Sequence, residues 1–266
     1  MQIETVKTDK FTMDFFRFGS GKENLVILPG LSVQSVMLSA DDIAEAYRAL
    51  ADDLTVYVFS RRNELPPVYS LWEMASDTAD AICALNLGRV SVFGASQGGM
   101  IAMKLAIDRP ELVKCLILGS SSAFVTPERY RFFEGLVCLA KDGNKTELCK
   151  MFAKAIYPQE IFSQIESLVP EAASLITDDD IYRFIILTES LRDVDLIGEL
   201  NKIVCPALVL GSKDDKVLGE EASLQLRDQI KNSELFLYDG YGHAVYDLAP
   251  DYKTRMLSFL FSHLGE

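Results

Sequence analysis

Short apolar runs that trade places with segments of helical period restrict the fold of this chain more than any other feature. Residues 24–28, 54–59, 90–93, 113–118, 207–210 and 235–238 are each too short for a buried helix and nearly continuously apolar. That is how strands covered on both faces read. Between them, residues 42–50, 71–87, 98–107, 218–230 and 251–264 carry apolar positions at helical spacing; in the second, Leu71, Met74, Ala75, Thr78, Ala79, Ile82 and Leu85 share a face. Strand–helix–strand order predicts parallel pairing through crossover helices, an α/β core. Ahead of it, residues 3–18 read as a hairpin turning near Thr8-Asp9-Lys10, and Gly19-Ser20-Gly21 ends it.

From about Ser121 to Leu200 the alternation stops. This stretch reads as several helices, with Pro127, Pro158 and Pro170 near the breaks. The domain reading is therefore residues 1–120 and 201–266 as one α/β core, with 121–200 inserted as a helical cap. Within the insert, Asp178-Asp179-Asp180 reads as a solvated helix start, where negative charge suits the helix dipole. The insert's aromatic residues, among them Phe124, Tyr130, Phe132, Phe133, Tyr157, Phe162, Tyr182 and Phe184, are divided between cap packing and an apolar substrate pocket.

Composition excludes several classes of function. The chain is ordinarily globular, 49% hydrophobic and 24% charged, which rules out disorder and fibre. A net charge of −13 opposes a phosphate backbone, so nucleic acid is not an expected partner. No run approaches the roughly 18 apolar residues of a membrane span, and residues 1–7 lack the pattern of a secretory signal, so a cytoplasmic location is expected. The cysteines, Cys83, Cys115, Cys138, Cys149 and Cys205, are odd in number and form no Cys-x-x-Cys pair; they read as buried thiols, with no metal or cofactor implied. Only His243 and His263 are available for histidine-dependent chemistry.

The chemistry concentrates after the strand at 90–93. Gly94-Ala95-Ser96-Gln97-Gly98-Gly99, followed at once by a helical run, fits the Gly-x-Ser-x-Gly nucleophile elbow in its strand–turn–helix context. Glycines at 94 and 98 let the two backbones approach while the turn lifts the serine above the sheet edge. A serine hydroxyl needs a base within hydrogen-bond reach and a third group to orient that base. His243, in a Gly-containing turn just after a strand, is the candidate base; His263, beside Phe259 and Phe261 in the terminal helix, reads as structural. For the orienting carboxylate, Asp214 and Asp215 both follow the strand at 207–210, and Asp239 shares the histidine's turn.

Ser96, an acid after residue 210 and a late His243 come in the order in which the α/β-hydrolase family with a helical cap carries its triad, and the chain resembles that family over nearly its whole length. The Gly211-Ser212-Lys213-Asp214 spacing and the Gly242-His243 pair resemble its acid and base loops, which implies Asp214 as the acid. The resemblance implies a mostly parallel eight-stranded sheet, and an oxyanion hole of the Leu31 and Gln97 backbone amides. It further implies an ester-type hydrolase of a small, apolar molecule, carboxylesterase-like, needing no cofactor. Thioesters, lactones and certain carbon–carbon bonds are alternatives on the same triad, as is a ligand receptor on the same fold. A serine at 96 disfavours a dehalogenase. Two departures bear on substrate class: Pro29-Gly30 stands where many relatives have His-Gly, and Ser60-Arg61-Arg62-Asn63 where many carry an acidic residue and a Gly-rich turn. The two arginines could bind a substrate carboxylate, although a surface ion-pair role is the expectation for them.

Overall fold

The structure, a computed structural model, describes residues 1–263. Eight strands, β1 (Glu4–Lys7), β2 (Thr12–Phe18), β3 (Glu23–Leu28), β4 (Leu54–Arg62), β5 (Val90–Ala95), β6 (Val113–Gly119), β7 (Ala207–Ser212) and β8 (Ser233–Tyr238), form one sheet in the order β1-β2-β4-β3-β5-β6-β7-β8. The β1–β2 and β2–β4 pairs are antiparallel; every later pair is parallel. This is the predicted mostly parallel, eight-stranded α/β sheet.

Why the strand runs are continuously apolar follows from the pleat. Alternate residues face opposite sides of a sheet, and here both sides are covered. Val26 and Leu28, Val92, Leu116 and Leu118, and Val209 lie in one core cluster. Leu25 and Ile27, Phe93, Cys115 and Ile117, and Leu208 and Leu210 lie in the other.

The helices are α1 (Ala40–Ala46), α2 (Leu71–Ala84), α3 (Gln97–Asp108), α4 (Pro127–Lys141), α5 (Lys145–Ile156), α6 (Gln159–Ile165), α7 (Val169–Ser174), α8 (Asp178–Glu189), α9 (Glu220–Gln229), α10 (Val245–Leu248) and α11 (Tyr252–His263). Buried side chains of α2, α3 and α9 join the first cluster, while those of α1 and α11 join the second. The last helix was expected to reach Leu264, which lies outside the described residues. Between β6 and β7 the chain is helical, from α4 to α8. Pro127 and Pro170 fall in the first turns of α4 and α7 and Pro158 caps α6, where a missing N–H costs nothing. The triple aspartate opens α8 behind a capping box in which Thr177 and Asp180 satisfy each other's backbone amides.

The cysteine expectation is corrected. Cys115 and Cys205 are buried, but Cys83 and Cys138 are exposed and Cys149 is half-buried; all are free thiols. Cys83 and Cys138 sit off the buried stripes of α2 and α4, on faces turned to solvent.

Candidate active site

Parallel strands place their carboxyl ends on one edge, and the three chemistry-bearing loops leave from the ends of β5, β7 and β8. At the end of β5, Ser96 has φ 51° and ψ −119°, the strained turn that a nucleophile elbow requires. Its neighbours pin it there: the Ser96 amide donates to Gly119 O at 2.8 Å, and Ser121 Oγ donates to Ser96 O at 2.8 Å. Gly94 and Gly98 are required by contact, since a Cβ at Gly94 would lie 2.4 Å from Gly98 O.

His243 Nε2 lies 3.0 Å from Ser96 Oγ, and His243 Nδ1 lies 2.8 Å from Asp215 Oδ2. With a proton on Nδ1 donated to the carboxylate, Nε2 is left to accept from the serine hydroxyl. His243 is 2% exposed, so the turn that carries it is held in place. Ala244 N donates to Ile156 O at 3.0 Å, which ties the histidine turn to the end of α5.

The acid inferred from spacing is corrected: the carboxylate on the imidazole belongs to Asp215, not Asp214. After β7 the chain turns through a Ser212–Asp215 backbone bond, and this rotates successive side chains in different directions. Asp215 Oδ1 accepts from the amides of Val217 (2.8 Å) and Leu218 (3.0 Å), leaving Oδ2 for the histidine. Burial alone would raise the Asp215 carboxyl, but the imidazole and these two amides outweigh it and hold its pKa below the ordinary range. Asp214 instead buttresses the histidine turn. Its carboxylate accepts from Ser212 Oγ at 2.6 Å, Gly240 N at 3.0 Å and Gly242 N at 3.1 Å. Against a smaller burial penalty, those donors hold its pKa below the ordinary range too. Asp239, the third candidate, is an exposed partner of Lys213.

Leu31 and Ser96 line one cavity of about 30 Å³, with Met100, Phe133, Phe152, Ile156, Leu191, Val217, Leu218, His243 and Tyr246. At roughly 10–15 Å³ per water, such a space takes only a small group. Phe133 and Phe152 come from α4 and α5, two of the helices between β6 and β7. Of the aromatic residues foreseen there, Phe133 reaches this cavity; Phe162 and Phe184 are buried in packing and Tyr182 is exposed. Phe152 and Tyr246 were not foreseen, because nothing in their local sequence separates them from ordinary apolar positions. Beyond Leu31, Phe152, Ile156 and Tyr246 a groove of about 570 Å³ opens, bounded by residues 29–36 and by α1, α5 and α7.

Gln97 opens α3, placing its backbone amide in the first turn, where N–H groups have no helical acceptor. Its side chain ties the insert to the elbow: Nε2 donates to Leu187 O at 2.7 Å and to Ser190 Oγ at 3.2 Å. Gln97→Leu is expected to lower stability by about 1 to 2 kcal/mol through these lost bonds, a change that thermal unfolding reads directly.

The two arginines part company. Arg62 forms a two-pronged ion pair with buried Asp77, at 2.6 and 2.7 Å, and Tyr69 also donates to that carboxylate. This is the ion-pair role expected of it, in the interior rather than at the surface. Arg61 has no carboxylate partner among the described residues. Among those residues no group of three His, Cys, Asp or Glu side chains is placed to hold a metal ion, and no helix is long and apolar enough to cross a membrane.

Comparison with known proteins agrees with the fold. Residues 25–137 match the family model described as alpha/beta hydrolase fold. A protein of Agrobacterium fabrum named "Putative carbamate hydrolase RutD" is 28% identical over 224 residues, covering 80% of this chain and 85% of the relative. Among solved structures, MGS-M2, an alpha/beta hydrolase enzyme from a Medee basin deep-sea metagenome library, superposes with a TM-score of 0.86 at 20% identity, covering 99% of this chain and 98% of that one. The enol-lactonase from Burkholderia xenovorans LB400 superposes with a TM-score of 0.83 at 16% identity, covering 97% and 100%. Over residues 25–137 the chain is similar to the alpha/beta-hydrolase family, and it shares that fold with the solved structures.

Proposed function

We propose that the protein is a serine hydrolase that cleaves an ester-type bond of a small molecule through an acyl-enzyme. The observation that carries this reading is the relay Ser96 Oγ–His243 Nε2 at 3.0 Å and His243 Nδ1–Asp215 Oδ2 at 2.8 Å. Ser96 Oγ bonds to the carbonyl carbon while its proton passes to Nε2, and Asp215 stabilises the imidazolium that forms. The amides of Leu31 and Gln97 receive the oxyanion, at about 3 to 4 kcal/mol for such a donor. The imidazolium then gives its proton to the leaving group, and water repeats the sequence to release the acid. The apolar cavity beside Ser96 suits a small acyl or alcohol group. The insert acts as the cap, roofing that cavity with Phe133 and Phe152.

Carbamate cleavage is the second reading, favoured by the names of the curated relatives; the same attack on a carbamate carbonyl gives a carbamoyl-enzyme. A fluorophosphonate probe tests the shared step without a chosen substrate. The expected result is a stoichiometric adduct on Ser96 by peptide mass that is lost in His243→Ala. A folded protein that takes up no probe at Ser96 would instead be a binding protein on a hydrolase fold. Parallel turnover of p-nitrophenyl acetate and a p-nitrophenyl carbamate then separates the two readings.

A further inference from the structure

Arg61 is 7% exposed, yet its guanidinium is only partly satisfied. One terminal nitrogen donates to Pro29 O at 2.9 Å and the other to Ser60 O at a long 3.4 Å, while Nε has no partner. A buried cation without a counter-charge is costly, and burial together with the nearby charge of Arg183 lowers its pKa to about 10. The side chain lines a cavity of about 40 Å³ shared with Gly30, Gln97, Ser32, Arg183 and Asp180. That space is large enough for a carboxylate group.

The charges around this cavity favour an anion. Arg183 spends its donors on the carbonyls of Arg62 and Asn63 and has no carboxylate partner among the described residues. Asp180 Oδ2 is engaged by the amide and hydroxyl of Thr177 at 2.9 and 2.7 Å. Two cations thus face one committed carboxylate. In a chain of net charge −13 an anion is held only where cations are placed locally. Position points to the substrate: Gly30 packs against Ser96, so that a Cβ on it would lie 3.1 Å from Ser96 Cβ, and Gln97 follows the nucleophile directly. The same 29–36 loop also walls the large groove.

We propose that Arg61 and its cavity form a carboxylate subsite, and that the preferred substrates of Ser96 are esters with a free carboxylate on the group that lies over Gly30. This rests on the serine-hydrolase reading and narrows it to a substrate class. Guanidinium–carboxylate recognition supplies two N–H donors in the geometry that Arg favours.

The test compares the p-nitrophenyl half-ester of glutarate with the p-nitrophenyl ester in which an isopropyl group replaces that carboxylate. In Arg61→Met the ratio of kcat/KM for the anionic over the apolar ester is expected to fall about tenfold to a hundredfold, the range for losing a charge-assisted hydrogen bond. Arg61→Lys should fall in between and guards against a folding defect. Free glutarate should raise the melting temperature of Ser96→Ala but not of the Ser96→Ala, Arg61→Met double variant. An unchanged ratio, or equal losses on both esters, makes Arg61 a brace for the Pro29 loop and overturns the subsite while the hydrolase reading stands. If the unmodified protein cleaves neither ester, ester cleavage fails as the reading, and fluorophosphonate labelling of Ser96 separately decides whether it is a serine hydrolase. The glutarate shift then decides the subsite alone: an Arg61-dependent shift sustains it and no shift overturns it.

Discussion

Asp215→Asn is expected to lower kcat by about 10⁴-fold, the scale on which a triad fails when its histidine is held in the wrong tautomer. The asparagine amide would present N–H where Oδ2 now accepts from His243 Nδ1 at 2.8 Å. The ring would then keep its proton on Nε2, facing the hydroxyl it must deprotonate. Fluorophosphonate labelling of Ser96 should slow in parallel. Asp214→Asn acts elsewhere: it removes acceptor capacity from the Gly240 and Gly242 amides and from Ser212 Oγ. Its expected effect is a loss of about 1 to 3 kcal/mol of stability, with the Asp215–His243 pair intact. Kinetics and melting temperatures of both variants check the assignment, and a larger kcat loss in Asp214→Asn than in Asp215→Asn would reverse it.

Gly98→Ala carries the second large effect, on folding. An added Cβ would lie 1.9 Å from Leu28 O and 2.6 Å from Pro29 O. These are backbone atoms at the end of a central strand, with no rotamer to swing aside. Relief requires α3 to move away from β3, which also separates the Leu31 loop from Ser96. The expected cost is about 3 kcal/mol, the upper end for an overpacked core, seen as a melting temperature lower by roughly 10 °C for a chain of this size. Gly198→Ala is the control, since nothing lies within 4 Å of a Cβ there. A Gly98→Ala protein as stable as that control would show that the elbow is not held by close backbone contact.

The fold was legible because strand runs such as 24–28 and 113–118 are apolar at successive positions, and that pattern arises only when both faces of a sheet are covered. Nor did Ser96 depend on tertiary packing: its strained turn needs glycine at two fixed offsets, so the steric requirement is written locally. His243 was readable for another reason, namely that one of only two histidines follows a strand at the active edge.

The acid was different. Asp214 and Asp215 are chemically identical neighbours, and which one meets the imidazole depends on how the turn after Ser212 rotates, set by bonds to Val217, Leu218 and the distant Gly240 and Gly242. Phe152 and Tyr246 were hidden likewise, because reaching Ser96 depends on how the insert docks and not on any local pattern. Arg61 and Arg62 were a pair in sequence; tertiary packing gave one the buried carboxylate of Asp77 and left the other facing a cavity. What this sequence determined alone were the features fixed by backbone sterics and periodicity, which act over a few residues. What only the tertiary structure decided was the pairing of charges and the lining of cavities, because those depend on groups brought together from far apart in the chain.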